Sequence, residues 1–166
     1  MLNQKKNIIL IIIFSIILLS IIATLIIEHV LGHQPCNLCF YERVPYILAI
    51  LLMVKIFFFK KYEKITLLIL FLIFIFSSLL AFYHFGIEQG FFSESFVCNV
   101  ENQQNILSKE QLLKELNQNV VSCKDVTFRI LGLSLAAINT ILSVVLSIIF
   151  LKLFFNYGSS STSQYK

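Results

Sequence analysis

The sequence predicts an all-α membrane protein, a bundle of four transmembrane helices with two outer loops and a short amphipathic helix in the second loop. Two features carry this reading. Of the 166 residues 58% are hydrophobic and only 13% charged, and the apolar residues fall into four long runs. Lysines also border those runs at alternate ends, while carboxylates gather at the other ends. The hydrocarbon core takes about 20 helical residues to cross, and a spanning backbone must satisfy its own hydrogen bonds, so the runs read as helices. The net charge of +4 comes from residues flanking the runs, with no basic face interleaved with aromatics. Nucleic acid is therefore excluded as a partner, and the charges serve orientation instead.

The first run, residues 8–27, follows Lys5 and Lys6 and carries no charge. It is longer than the roughly 7–15 residues of a signal-peptide core, and no A-x-A site follows, so it reads as a retained span. The second run, 44–59, is short, can gain length by starting earlier, and has Lys55 near its end, where a lysine can reach the headgroups. The third covers 65–85 and the fourth 130–155, with Arg129 anchoring its start. The outer loops are then 28–43 and 86–126, residues 1–157 form one membrane domain, and 158–166 is a polar, Ser-rich tail read as disordered. In the second loop Ser108 and Gln111 fit a capping box, and Leu112, Leu113, Leu116 and Val120 recur at helical spacing. That helix can lie on the membrane or pack on protein, and amphipathicity alone does not choose.

Lys5 and Lys6, the group Lys55, Lys60, Lys61 and Lys64, and the pair Lys152 and Lys166 share one side of a four-span chain. The positive-inside bias makes that side, and both termini, cytoplasmic. All four cysteines then lie outside, Cys36 and Cys39 in the first loop and Cys98 and Cys123 in the second, in a compartment that permits disulfides.

Cysteine reacts as the thiolate, which is favoured near a helix N-terminus, near a cation and within Cys-x-x-Cys. Cys36 and Cys39 stand at the entrance to the second span with Arg43 as cation. Arg43 shares the face of Cys39 if the helix already includes Cys39; Pro45 argues for a later start, in which case the loop must bring the groups together. Beside a redox dithiol a guanidinium can stabilise charge developing on quinone oxygen; equally, Arg43 can anchor the helix by pairing with Glu42 or lipid phosphate. His84 and Glu88, at i and i+4 on the third span, can relay protons or simply end the helix as an interfacial pair. Glu28, His29 and His33 have weaker claims. The four thiols admit three readings: a relay of two redox pairs, two structural disulfides, or a Cys₄ zinc site. Zinc sites usually show two close pairs, and here only one pair is close. A bond across Cys-x-x-Cys closes too short a loop to restrain the unfolded chain much, so a reactive bond fits better. No metal is expected.

The segment Gln34-Pro35-Cys36-Asn37-Leu38-Cys39-Phe40-Tyr41-Glu42-Arg43-Val44-Pro45-Tyr46 resembles the P-C-x-L-C-x-x-x-R-x-P-Y signature of the disulfide bond formation protein B (DsbB) family, the bacterial inner-membrane thiol oxidases that use quinone. Ala81 to Glu88, and Cys123 followed by Phe128 to Ala136, support the resemblance, which covers nearly the whole chain. It implies that Cys36 and Cys39 hand electrons to ubiquinone or menaquinone and that Arg43 and His84 lie beside that quinone. It implies equally that Cys98 and Cys123 oxidise a DsbA-like periplasmic protein of thioredoxin fold, Cys98 making the mixed disulfide and Cys123 exchanging with Cys36. Two rivals are a vitamin K epoxide reductase-like thiol–quinone enzyme, which typically keeps its reactive pair near the chain's end, and a non-enzymatic membrane scaffold with structural cysteines.

Overall fold

A computed structural model describes residues 2–33, 35–59, 62–93, 98, 123–124, 129–130 and 132–161. Its elements are α1 (Leu2–His29), α2 (Asn37–Phe58), α3 (Glu63–Glu88), a two-residue pair β1 (Arg129–Ile130) and β2 (Leu133–Ser134), and α4 (Leu135–Ser161). The helix expected around residues 108–120 lies outside the described residues.

Among the described residues three helices are long and apolar enough to cross a membrane: Gln4–His29, Glu63–Glu88 and Leu135–Asn156. At 1.5 Å per residue, the 22 residues of α2 extend about 33 Å, but Glu42, Arg43 and Lys55 interrupt its apolar run. The most extensive contact is between α3 and α4; α2 packs on α3, and α1 on α2. The centre of the bundle is apolar. Phe74 and Phe150 stack with centroids 5.6 Å apart, and Tyr46 meets Phe74 edge-on at 5.5 Å. Leu10, Ile13 and Ile17 bring α1 onto the same core, one helical face at i, i+3 and i+7. Outward-facing Ile8, Ile11, Leu19, Leu51, Leu72, Phe76 and Leu79 are exposed, the surface a lipid-facing bundle requires. At one end of the bundle Lys6 pairs with Glu63 at 2.7 Å, tying the start of α1 to that of α3.

Three boundaries differ from the sequence expectation. The second helix begins at Asn37, seven residues before the apolar run, because Cys36 caps it: its sulfur accepts the Cys39 N–H at 3.3 Å. Cys39 and Arg43 are therefore helical, and Pro45 lies inside the helix, where it leaves the Tyr41 carbonyl without its usual partner. The fourth helix begins at Leu135, not at residue 130. Ser134 accepts the Ala137 N–H at 3.2 Å as an N-cap, and the preceding apolar residues form a hairpin turning at Gly132, whose φ of 84° suits glycine. Arg129 is consequently exposed on a strand and does not start the span. At its far end α4 continues to Ser161, so residues 158–161 extend the helix instead of opening a disordered tail.

Helix α3 ends in a Schellman motif. The Phe91 N–H reaches the Gly86 carbonyl at 2.8 Å and the Gly90 N–H reaches that of Ile87 at 3.0 Å, with Gly90 at φ 77°. This closes the end of α3, where Glu88 is the last helical residue and His84 lies one turn before it.

Candidate functional site

The end of the bundle opposite Lys6 and Glu63 holds all four cysteine sulfurs. Cys36 is an extended N-cap residue, so its thiol lies over the first turn of α2, and Cys39 sits one turn on. Both are free thiols with sulfurs 2.8 Å apart. Cys98 and Cys123 are joined as a disulfide, buried in one cluster with Cys36, Leu38 and Ile87, against which Cys39 and Tyr83 pack. The two pairs predicted from sequence are thus brought together.

The Cys36 thiol is pulled well below the usual cysteine range. The chief cause is the hydrogen bond with the Cys39 thiol; His84 adds to it, and burial opposes it. The N-terminal end of α2 has the same sense, since unpaired helix N–H groups favour an anion.

His84 is buried in α3 with its Nε2 3.5 Å from the Cys36 sulfur. Its Nδ1–H donates to Glu42 Oε1 at 2.7 Å, and Asn139 Nδ2 donates to the other oxygen of that carboxylate at 2.6 Å. The Tyr46 hydroxyl donates to Asn139 Oδ1 and lies 3.2 Å from Ser143 Oγ, which in turn lies 3.1 Å from Ser77 Oγ. A line of polar contacts therefore runs from the thiol through α3, α2 and α4 into the apolar core. Glu88 Oε1 is 3.9 Å from His84 Nε2, and its Oε2 is buried with no hydrogen-bond partner among the described residues.

Arg43 follows Cys39 by one turn on α2 and binds Glu28 of α1 at 2.5 Å, with both side chains largely covered. Its partner is Glu28, not Glu42: neighbouring residues on a helix point about 100° apart, and Glu42 is turned inward to His84 and Asn139. Sequence reasoning missed Glu42, Asn139, Tyr46 and Ser143. One signal could have found part of the set, since Asn139, Ser143 and Ser147 recur every fourth residue in an apolar helix.

Cys36, Cys39 and His84 offer three metal-type donors within 4.8 Å of one another. Two thiolates sharing a tetrahedral zinc at about 2.3 Å each would stand roughly 3.8 Å apart. Their 2.8 Å separation is too short for that, and fits a dithiol ready to close a disulfide with an imidazole beside it.

Residues 5–153 match the family described as "Disulfide bond formation protein DsbB". The chain belongs to the DsbB family. It is accordingly a membrane disulfide-bond formation protein, a disulfide-generating oxidoreductase. It is also similar to "Uncharacterized protein RP370" of Rickettsia prowazekii (strain Madrid E), with 26% identity over 161 residues, covering 96% of this chain and 93% of that one. No solved structure matches it.

Proposed function

We propose that this DsbB-family protein reoxidises a periplasmic thioredoxin-fold dithiol protein and passes the two electrons to a membrane quinone, making disulfides de novo. One observation carries the reading: the Cys98–Cys123 disulfide is buried in the same cluster as the Cys36 thiol, so two redox pairs share one site. Structural disulfides need no such neighbour. In this reading α2 is the fourth span, the cysteine end faces the periplasm and both termini face the cytoplasm of a bacterial inner membrane.

The relay is two thiol–disulfide exchanges. A thiolate of the partner attacks Cys98, forming a mixed disulfide and releasing Cys123 as thiolate; the partner's second thiol then displaces Cys98. Cys123 next attacks Cys36 of the Cys36–Cys39 disulfide and releases Cys39. Cys98 attacks Cys123, restores the outer disulfide and releases Cys36, leaving the electron pair on the Cys36–Cys39 dithiol. The described state, outer pair oxidised and inner pair reduced, matches that point in the cycle.

The residues at this end fit a quinone. Glu88 Oε2 is a buried polar atom with no hydrogen-bond partner among the described residues, and Arg43 is a cation fixed by Glu28. Phe40, Val44 and Ile47 are exposed at i, i+4 and i+7 of α2, an apolar stripe beside Cys39 and Arg43. When bound, the quinone accepts two electrons and two protons. Arg43 binds and orients the polar head and favours negative charge on its oxygen; Cys39 is the donor sulfur, and His84 lies close by. The test is turnover with a reduced thioredoxin-fold donor. Quinone reduction should need Cys36 and Cys39, and oxidation of the protein donor should also need Cys98 and Cys123.

A further inference from the structure

Polar side chains are costly inside a membrane bundle, and those that occur there pair and usually serve function. Here such groups converge on a single thiol. We propose that Glu42 and Asn139 are positioning residues that hold His84 as the proton acceptor of Cys36, so that Cys36, His84, Glu42 and Asn139 act as one unit when the Cys36–Cys39 disulfide closes. The proposal rests on the quinone reading for the destination of the electrons.

The hydrogen bonds fix the tautomer. An ionised carboxylate only accepts, so the contact with Glu42 Oε1 at 2.7 Å places the ring proton on His84 Nδ1. His84 Nε2 then faces the Cys36 sulfur, 3.5 Å away, as a lone pair towards the thiol or, once it has taken the proton, as an N–H towards the thiolate. The Asn139 amide is fixed in the same way: Tyr46 donates to its Oδ1, which leaves Nδ2 to donate to Glu42 Oε2. Both carboxylate oxygens are therefore occupied by donors from two other helices. A nucleophile, a base within reach, and a third group orienting the base is the arrangement that activates thiols and hydroxyls elsewhere.

The step balances as follows. The Cys36 S–H bond breaks and its proton moves to His84 Nε2. The Cys36 sulfur bonds to that of Cys39, whose own S–H bond breaks, and two electrons leave through Cys39 to the quinone together with two protons, one from Cys39 and one handed on by His84. Glu42 faces the imidazolium so formed and stabilises it. Charged and titratable groups also face His84 from other directions: Cys36 and Cys39 at the start of α2, and Glu88 on α3, with Oε1 3.9 Å from Nε2. From α4 come the uncharged Asn139 and, behind it, Ser143.

The test is a titration of the reduced full-length protein in detergent. Thiolate ultraviolet absorbance is followed against pH, with the Cys36→Ala variant subtracted, and quinone turnover is measured in parallel. Direct repulsion and the proposed unit predict opposite signs. A carboxylate near a thiolate disfavours it, so simple loss of the Glu42 charge would move the Cys36 midpoint down. Acting through His84, Glu42 stabilises the imidazolium, so Glu42→Gln should move the midpoint up by about one unit, a roughly ten-fold loss of thiolate below the midpoint. Turnover should fall roughly 100-fold, the lower range for a positioned base, and Glu42→Asp should recover part of both. Asn139→Ala should shift the midpoint in the same direction by less, and it decides the matter alone if Glu42→Gln does not fold. A midpoint that stays put or falls in both variants overturns the proposal, whatever turnover does. An upward shift in a protein that reduces no quinone supports the unit and refutes the acceptor, which separates this inference from the reading beneath it.

Discussion

Replacing Phe74 with alanine removes a ring that is fully buried, stacked on Phe150 and met edge-on by Tyr46. In a soluble protein the cost has a transfer part and a cavity part. In a membrane the transfer part shrinks, because lipid tails are as apolar as the core. The cavity part persists, since lining atoms lose dispersion partners whatever the outside solvent. Loss of roughly 100 Å³ at about 24 cal/mol per Å³ gives about 2.4 kcal/mol. Ser143→Ala is the informative comparison. It deletes a buried hydroxyl in contact with both Tyr46 and Ser77. Interhelical hydrogen bonds in membranes average about 0.6 kcal/mol each, so two amount to about 1 kcal/mol. Packing should therefore outweigh polar contacts at the α3–α4 interface. Reversible unfolding in mixed mild detergent and SDS, with the disulfide intact, measures both variants. A cost for Ser143→Ala equal to or above that of Phe74→Ala would refute the reasoning and make polar contacts the principal tie between these helices.

Three other outcomes follow from the site. Cys98→Ser should abolish oxidation of the thioredoxin-fold donor while leaving quinone reduction by small thiols, measured by parallel assays with the two donors. Arg43→Ala should weaken quinone use, seen as a raised quinone KM, without removing thiol exchange; Glu28→Gln, which frees the guanidinium, should do the same to a lesser degree. An unchanged quinone KM in Arg43→Ala would contradict the placement of the head group. Finally, Cys39→Ala removes the main cause of the low Cys36 pKa. The thiolate is the form stabilised, so loss of that bond should move the pH profile of Cys36 alkylation to higher pH and slow the reaction at neutral pH.

The helical class and the reactive loop were legible because they rest on local signals. Apolar runs betray helices in lipid, and Cys-x-x-Cys with a following arginine is a contiguous pattern. The start of α2 was less so, because Glu42 and Arg43 break the apolar count. In the fold each is neutralised by groups distant in sequence, Glu28 for Arg43, and His84 with Asn139 for Glu42. The start of α4 was misplaced for the opposite reason. Residues from Ile130 on are apolar enough for a span, but Gly132 turns the chain and Ser134 caps the helix later. His84 is a candidate on sequence alone, where the partner at hand is Glu88 on its own helix. Only packing of α2 against α3 brings Glu42 closer, at 2.7 Å against 3.9 Å. Asn139 carries no local signal beyond its four-residue spacing to Ser143.

The most direct test of the account is quinone reduction by the purified protein in detergent. A reduced thioredoxin-fold dithiol protein serves as donor, and Cys39→Ser as control. The account predicts loss of quinone absorbance with the native protein, one quinone consumed per disulfide formed in the donor, and none with Cys39→Ser. Folded protein with intact thiols that reduces neither ubiquinone nor menaquinone, or reduces them equally well without Cys39, would contradict it.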